Sequence, residues 1–282
     1  QPNEGYQEPY TAFVKTLTSK PVVGVGRFTS ADAMVSQIRR GVLDLIGAAR
    51  PSIADPFLPR KIDEGRIEDI RECIGCNICV AKDNICAPIR CTQNPTQGEE
   101  WKQGWHPEKI DVAVSDEPVL VIGAGPTGLE ASLQLANRGY SVTLAEASTE
   151  LGGRVSRECE LPGMSSYARV RDYRENQIRQ KPEIEVYLGN ELTVQDVIDL
   201  EIPHVLVATG SYWRRDGTGR QHPFPVSGHD SLALLTPDDV LAGAEVGGRV
   251  LIYDDDHYYM GSTIAERCRA QGNEVSLLTP ES

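Results

Sequence analysis

Four of the seven cysteines in this 282-residue chain have the spacing of metal ligands. Cys73, Cys76 and Cys79 lie in C-I-G-C-N-I-C, and Cys91 follows after eleven more residues. Thiolates select soft or borderline metals, which leaves zinc or an iron–sulfur cluster. Zinc sites usually combine two separated Cys-x-x-Cys pairs, whereas three ligands crowd one end here. The spacing therefore favours a [4Fe–4S] cluster over zinc or a disulfide, with Cys86 as a weaker substitute ligand.

A second motif with chemical potential is a glycine-rich turn after the apolar residues 119–122. Gly123, Gly125 and Gly128 form G-x-G-x-x-G, followed by a helical pattern over 129–138 and an apolar run that ends at Glu146. The glycines let a pyrophosphate approach the turn, and the acid takes the ribose hydroxyls. This complete βαβ unit predicts a site for ADP or FAD. The motif does not distinguish the two, because both use the same pyrophosphate and ribose contacts. Glu146 disfavours a 2′-phosphate.

Two earlier apolar runs, over 21–26 and 43–47, predict buried parallel strands with a helix over 31–40 between them. Each run ends in glycine, and an arginine follows it (Arg27 and Arg50). In a (β/α)8 barrel the last two such loops commonly bind a phosphate. Two surface arginines in ordinary loops are the alternative interpretation.

A further Rossmann-like unit is predicted to begin with a strand over 249–253. Its turn, residues 254–261, reads D-D-D-H-Y-Y-M-G, so acids and tyrosines stand where glycines would receive a pyrophosphate. Charge repulsion and bulk would oppose an anion there. We therefore predict that this unit does not bind NAD(P)H.

The composition restricts the partners. Lys and Arg total 28 against 41 Asp and Glu, a net charge of −13, which argues against nucleic acid or an anionic membrane. No apolar run approaches the ~20 residues of a membrane span, and no signal peptide pattern is present. Seven cysteines with a ligand cluster fit a reducing cytoplasm, and we expect Cys159 and Cys268 to be small buried side chains.

Taken together, these motifs resemble one family. G-V-G-R-F, A-A-R-P-S-I-A-D-P, C-I-G-C-N-x-C, C-T-Q-N-P-T-x-G-E-E, W-H-P-E-K and V-I-G-A-G-P-x-G look like the iron–sulfur flavoprotein dehydrogenases. These include trimethylamine, dimethylamine and histamine dehydrogenase, with 2,4-dienoyl-CoA reductase as a cousin. The resemblance covers nearly the whole chain. It implies FMN in a barrel, a neighbouring [4Fe–4S] cluster, and ADP or FAD in the Rossmann domain.

By this resemblance the four cysteines ligate the cluster, and the three glycines with Glu146 bind ADP. The FMN phosphate loops of the family match Gly26, Arg27, Ala49 and Arg50. The catalytic residues of the family lie upstream of Gln1, so we expect the chain to be a piece of a longer polypeptide or one subunit of a split enzyme.

The cysteine spacing and one substitution indicate the branch. The reductases resemble C-x2-C-x3-C-x11-C, whereas this chain has the C-x2-C-x2-C of the amine dehydrogenases. Trimethylamine dehydrogenase places a tryptophan four residues after the third cysteine, where this chain has Asp83. A carboxylate pairs with a primary ammonium or an imidazole N–H, which favours a histamine-like amine. A solvated loop carboxylate is the alternative.

The sequence thus predicts an α/β protein that oxidises an amine at FMN and relays electrons through the cluster to an electron-transferring flavoprotein or similar acceptor. An NAD(P)H-dependent enoate reductase, a scaffold subunit without FMN, and a zinc-containing binding protein are the rivals. We expect a homodimer, or a complex with the remainder of the barrel. The predicted parts are the end of a (β/α)8 barrel (1–72), the iron–sulfur loop and a connector (73–117), a Rossmann domain (118–247) and a degenerate second unit (248–282).

Overall fold

A computed structural model describes residues 3–99, 101 and 110–280. Within them the strands are β1 (Val23–Gly24), β2 (Leu45–Ile46), β3 (Val119–Ile122), β4 (Val142–Glu146), β5 (Ile184–Leu188), β6 (His204–Val207), β7 (Arg249–Tyr253) and β8 (Glu274–Leu278). The helices are α1 (Glu8–Thr11), α2 (Val14–Leu17), α3 (Ala31–Arg39), α4 (Ala49–Ala54), α5 (Leu58–Asp63), α6 (Ile78–Asn84), α7 (Pro126–Arg138), α8 (Val155–Glu158), α9 (Ala168–Arg179), α10 (Val194–Asp199), α11 (Pro237–Leu241) and α12 (Met260–Ala270). Short 3-10 turns occupy Ile67–Asp69, Ser165–Tyr167 and His229–Ser231.

The first part of the chain is a β-α-β unit, as the sequence predicts. β1 and β2 pair in parallel, with Val23 opposite Leu45, and α3 crosses between them. Ser30 caps α3 by accepting a hydrogen bond from the N–H of Ala33, and Gly41 ends it with a φ of 67°. The phosphate loops therefore emerge side by side from neighbouring strands.

Four parallel strands form the central sheet of the Rossmann domain in the order β5-β4-β3-β6. This is the first half of the Rossmann arrangement, whose ligand crevice opens at the carboxyl ends of the strands where the strand order reverses. That point lies between β3 and β6. Leu120, Val121 and Leu144 are fully buried, which explains why these strands read as continuous apolar runs.

The second unit consists of β7, α12 and β8, with β7 and β8 paired in parallel from Arg249↔Glu274 to Tyr253↔Leu278. It does not have a separate core. Met260 and Ile264 of α12 pack with Val170 of α9 and with Ile74. Ile74 belongs to the segment that carries the clustered cysteines, residues 72–93, which is called the cysteine segment below. Cys268 is 1% exposed in the same cluster, as predicted, and Cys159 packs at its margin.

Several elements were not anticipated from the sequence. The segment after β2, interpreted as a loop, is the helix α4, and Cys79 lies in α6 rather than in a tight loop. The region between Arg154 and β6 contains α8, α9, β5 and α10, whose polar surfaces conceal their periodicity. His106, which we expect from the sequence to be a structural histidine and not a ligand, falls outside the described residues. No described helix has the length and apolarity to span a bilayer.

Candidate functional site

The first three cysteines lie on a compact turn whose shape depends on two residues. Gly75 and Asn77 both adopt left-handed backbone conformations, with φ of 69° and 62°. Glycine and asparagine are the residues that tolerate this region best, which explains C-I-G-C-N. Asn77 directly precedes α6. Cys79 is the second residue of that helix, and its side chain is buried. Ile74 points into the shared core and anchors the turn.

The thiols lie in a partly dry environment supplied with hydrogen-bond donors. The N–H of Gly75 donates to the Cys73 sulfur at 3.3 Å, and the N–H of Gln93 donates to the Cys91 sulfur at 3.4 Å. Burial raises the pKa of the Cys73 thiol, and repulsion from the charges of Cys91 and Cys76 adds to the rise. These three thiols therefore share one neighbourhood, and the donors would stabilise bound thiolates.

In residues 3–99, 101 and 110–280, no group of three or more His, Cys, Asp or Glu is close enough to hold a single metal ion. A cubane cluster places each thiolate on a different iron, so its ligands need not meet at one atom. Two of the four sulfurs, those of Cys73 and Cys91, accept backbone N–H groups, which fits thiolates bound to such a cluster. Their ligand role stays a prediction.

A buried polar network holds the Cys91 side of the loop. Gln93 is fully buried, and its amide donates to the carbonyl oxygens of Glu72 at 3.1 Å and Arg169 at 3.3 Å. Arg174 of α9 donates to the Gln93 side-chain oxygen at 2.9 Å and to Glu130 at 2.7 Å. Gln93 thus connects both ends of the cysteine segment to the Rossmann domain.

The two predicted phosphate loops bring positive charge together beside the cysteine turn. Arg27 has a left-handed backbone with φ of 57°. Burial lowers the pKa of Arg27, and the charges of Arg50 and Arg169 lower it further. Gly26 precedes this arginine, and Ala49 and Arg50 begin α4. The concentration of guanidinium groups fits a phosphate of the kind that FMN carries.

Arg50 and Arg169 also join these loops to the cysteines. Arg50 donates to the side-chain oxygen of Asn77 at 2.5 Å. Arg169 of α9 donates to the carbonyl oxygen of Cys73 and to the hydroxyl of Thr29, both at 2.9 Å. It also pairs with Glu72 at 2.8 Å. The phosphate loops and the metal-ligand candidates therefore form one continuous site.

The glycine-rich turn has the shape that a pyrophosphate requires. A Cβ atom on Gly128 would lie 1.8 Å from the Gly123 carbonyl oxygen, so the turn closes only with glycine. A Cβ on Gly125 would meet nothing within 4 Å, which leaves open space before α7. Glu146 accepts from the N–H of Ala124 at 2.6 Å and so lies beside the turn. These residues fit an ADP moiety.

The corresponding turn of the second unit is already filled. A side-chain oxygen of Asp254 accepts from the N–H groups of Asp256 and His257, each at 3.1 Å. A Cβ on Gly261 would lie 2.5 Å from the Asp254 carboxyl carbon. The carboxylate therefore uses the donors that a pyrophosphate would need. This supports the prediction that the unit takes no NAD(P)H, which stays a prediction.

Asp83 and Cys86 are both exposed, unlike Cys79, which is buried on the same helix as Asp83. Asp83 is exposed on α6, and Cys86 is exposed in a left-handed conformation with φ of 54°. The substrate role of Asp83 stays a prediction. The sequence analysis did not identify Thr92, Gln93, Arg169, Arg174 and Tyr258, which all contact the cysteine segment. The polar run C-T-Q-N, which begins at the candidate ligand Cys91, was the available signal for Thr92 and Gln93.

Two parts of the chain match known protein families, and nearly the whole chain is similar to a known dehydrogenase. Residues 1–69 match the NADH:flavin oxidoreductase / NADH oxidase family, and residues 121–174 match the NAD(P)-binding Rossmann-like domain. Dimethylamine dehydrogenase of Hyphomicrobium sp. (strain x) is 41% identical over 97% of this chain and 38% of its own length.

Two solved structures are similar throughout. The 6-hydroxypseudooxynicotine amine oxidase of Pseudomonas geniculata N1 is 56% identical with a TM-score of 0.93, over 98% of this chain and 42% of its own. Histamine dehydrogenase of Rhizobium sp. 4-9 is 55% identical with a TM-score of 0.94, over 99% of this chain and 41% of its own. The chain thus spans about two fifths of these relatives, and the expected barrel end and Rossmann fold are confirmed. The resemblance to the flavin-dependent amine dehydrogenases, dimethylamine dehydrogenase and histamine dehydrogenase among them, is thereby confirmed over nearly the whole of this chain.

Proposed function

We propose that this chain is the part of an amine dehydrogenase that accepts electrons from a flavin and passes them to an external acceptor. The similarity to histamine and dimethylamine dehydrogenases supports the reaction class. The observation that carries the proposal is the contiguity of the two candidate carrier sites. One side chain, Arg169, contacts both the Cys73 carbonyl oxygen and Thr29, which follows Arg27 and Phe28 of the predicted phosphate loop.

The residues divide the work as follows. Arg27 and Arg50 hold the FMN phosphate, and Cys73, Cys76, Cys79 and Cys91 hold the cluster. When bound, FMN supplies two-electron oxidation of the amine and the [4Fe–4S] cluster supplies one-electron transfer. Gly125 and Glu146 bind ADP or FAD, with ADP as a structural nucleotide.

The substrate we propose is a small polar amine of the histamine class. Asp83 has a charge that can pair with a primary ammonium or an imidazole N–H. The acceptor is an electron-transferring flavoprotein or a similar carrier. We place the protein in the cytoplasm, as a homodimer or in complex with the rest of the barrel.

Metal analysis of two matched alanine variants tests the cluster. We expect about four iron and four acid-labile sulfide per chain in anaerobically purified protein, and the same content in Cys86→Ala. Cys91→Ala removes one ligand and is expected to lose most of the iron. Zinc without sulfide, or full iron in Cys91→Ala, would contradict the assignment.

Anaerobic titration of the chain in complex with the rest of the barrel tests the reaction, because the catalytic residues of the family are expected there. We expect histamine to bleach the flavin absorbance and NADH to leave it unchanged. Bleaching by NADH but not by amines would favour the enoate reductase instead. Absence of bound flavin in protein that retains its iron would favour a scaffold subunit.

A further inference from the structure

The turn of the second unit, residues 254–261, contacts the cysteine segment. Nucleotide binding would not account for this contact. Asp254 holds the turn by accepting the N–H groups of Asp256 and His257. The hydroxyl of Tyr258 donates to the carbonyl oxygen of Cys76 at 3.1 Å. The turn therefore contacts the cysteine segment at the middle of its three closely spaced ligands.

Two further tyrosines hold Tyr258 in place. Its ring packs edge-on against Tyr259 with 4.9 Å between centroids, and Tyr259 lies 5.3 Å from Tyr167. Tyr259 donates to Glu158 at 2.7 Å, which fixes the group to α8. Tyr167, Tyr258 and Tyr259 are called the tyrosine clamp below.

Tyr258 is 50% exposed, so part of its ring faces solvent while its hydroxyl contacts the cysteine turn at Cys76. Ile74, beside the same turn, is 3% exposed in the core that Tyr167 and Met260 help to form. The second unit thus contacts the cysteine turn at two points: the backbone carbonyl of Cys76 and the side chain of Ile74.

We propose that the second Rossmann-like unit covers the iron–sulfur cluster, with Tyr258 as the positioning residue that fixes Cys76 and limits water on that side. The inference rests on the proposed function, since it requires the cluster. It gives the D-D-D-H-Y-Y-M-G turn a role of its own: the acid that fills the phosphate position stabilises the conformation that presents the tyrosine.

The direction of the effect follows from electrostatics. Reduction adds one negative charge to the cluster, and water near the sulfur ligands stabilises that charge. A cover that limits water therefore keeps the reduction potential low. Removing the Tyr258 ring is expected to raise the potential and to expose iron to soluble chelators. Removing only the hydroxyl loosens the turn and is expected to have a smaller effect.

The test compares Tyr258→Phe and Tyr258→Ala in the iron-containing protein. Redox titration followed by electron paramagnetic resonance measures the potential, and hydrogen exchange measures the mobility of residues 74–79. We expect faster exchange in both variants. In Tyr258→Ala the equilibrium should shift about tenfold towards the reduced cluster, about +59 mV for one electron. Tyr212→Ala, at a side chain 88% exposed, is the matched control and should leave both readouts unchanged.

The outcomes separate the inference from the proposed function. Full iron and sulfide in wild type, with an unchanged potential and unchanged exchange in Tyr258→Ala, overturns the inference alone. A wild-type protein without iron and sulfide overturns both. Full metal content in Tyr258→Phe together with faster exchange of residues 74–79 and a raised potential supports the positioning role, because the aromatic packing is retained there.

Discussion

At the scale of single residues, the hydroxyl of Thr92 is placed to tune a bound cluster. It lies 3.1 Å from the Cys76 sulfur, and when that sulfur is a thiolate the hydroxyl must be the donor. A donor stabilises the extra negative charge of the reduced state, so its removal disfavours reduction.

We predict that Thr92→Val lowers the reduction potential, with a three- to tenfold shift in the equilibrium, about 30–59 mV for one electron. The measurement is a redox titration of the iron-containing protein. Thr92→Ser keeps the hydroxyl and should remain near wild type. A valine variant with full iron and the wild-type potential would show that the contact does not act on the cluster.

At the scale of the element, α9 is the support for the cysteine segment. Arg174 is 3% exposed and donates to Glu130 and Gln93 within the interior. Replacing it leaves buried acceptors without a donor, which costs about 3 kcal/mol of the free energy of unfolding.

We predict this loss for Arg174→Met in urea unfolding monitored by circular dichroism. Arg179→Met is the control on the same helix, because Arg179 is largely exposed and pairs only at the surface with Glu175. Its effect should stay within about 0.5 kcal/mol. Equal effects of the two substitutions would mean that the network does not support the fold.

The contact between α1 and α3 predicts a pH dependence. Hydrogen bonds from Arg40, then from Gln37, lower the pKa of Glu8 from 4.5 to about 2. Because the folded-state pKa is depressed, the contribution to stability is present above pH 4.5 and is lost as the pH falls towards 2.

We predict that Glu8→Gln lowers stability at neutral pH by at most about 1 kcal/mol, since the pair is solvent-exposed. The difference from wild type should disappear between pH 4.5 and 2, as measured by urea unfolding at each pH. Glu191→Gln, at an exposed position, should show no such window. A difference that persists unchanged at pH 2 would rule out this ion pair as its source.

At the scale of the whole molecule, the predicted nucleotide binding should be separable from folding. Gly125 has an ordinary φ of −69° and open space at its Cβ position, so alanine fits the backbone. The added methyl group occupies the place expected for the pyrophosphate.

We predict that Gly125→Ala leaves the unfolding transition of the nucleotide-free protein unchanged and weakens ADP binding at least tenfold in calorimetry. Gly247→Ala is the matched control, since its Cβ would also meet nothing within 4 Å. Tight ADP binding by Gly125→Ala would place the nucleotide elsewhere.

The sequence predicted those strands and turns whose formation depends only on residues close together in the chain. The apolar run 119–122, the turn from Gly123 to Gly128 and the acid at Glu146 depend on neighbouring residues, and the structure has them as expected. Periodicity could not reveal α9, because its exterior is strongly polar and its buried arginine, Arg174, resembles a surface residue in sequence.

Long-range contacts account for what the sequence could not indicate about the site. Gln93 and Tyr258 are unremarkable polar residues until folding brings them to the cysteine segment. Their partners lie far away in the chain, so no spacing rule applies. The acids and tyrosines at 254–261 predicted a turn that takes no NAD(P)H, but nothing local in the sequence indicated that this turn would contact Cys76.

The burial of Ile74 has a consequence for biosynthesis. Its neighbours Met260 and Ile264 are translated long after it, so the cysteine turn cannot reach its final shape while the chain is still short. Until α12 is synthesised, Ile74 lacks these contacts, and once α12 docks Ile74 is buried. The predicted metal centre would therefore be assembled most readily before the downstream unit packs against the cysteine turn.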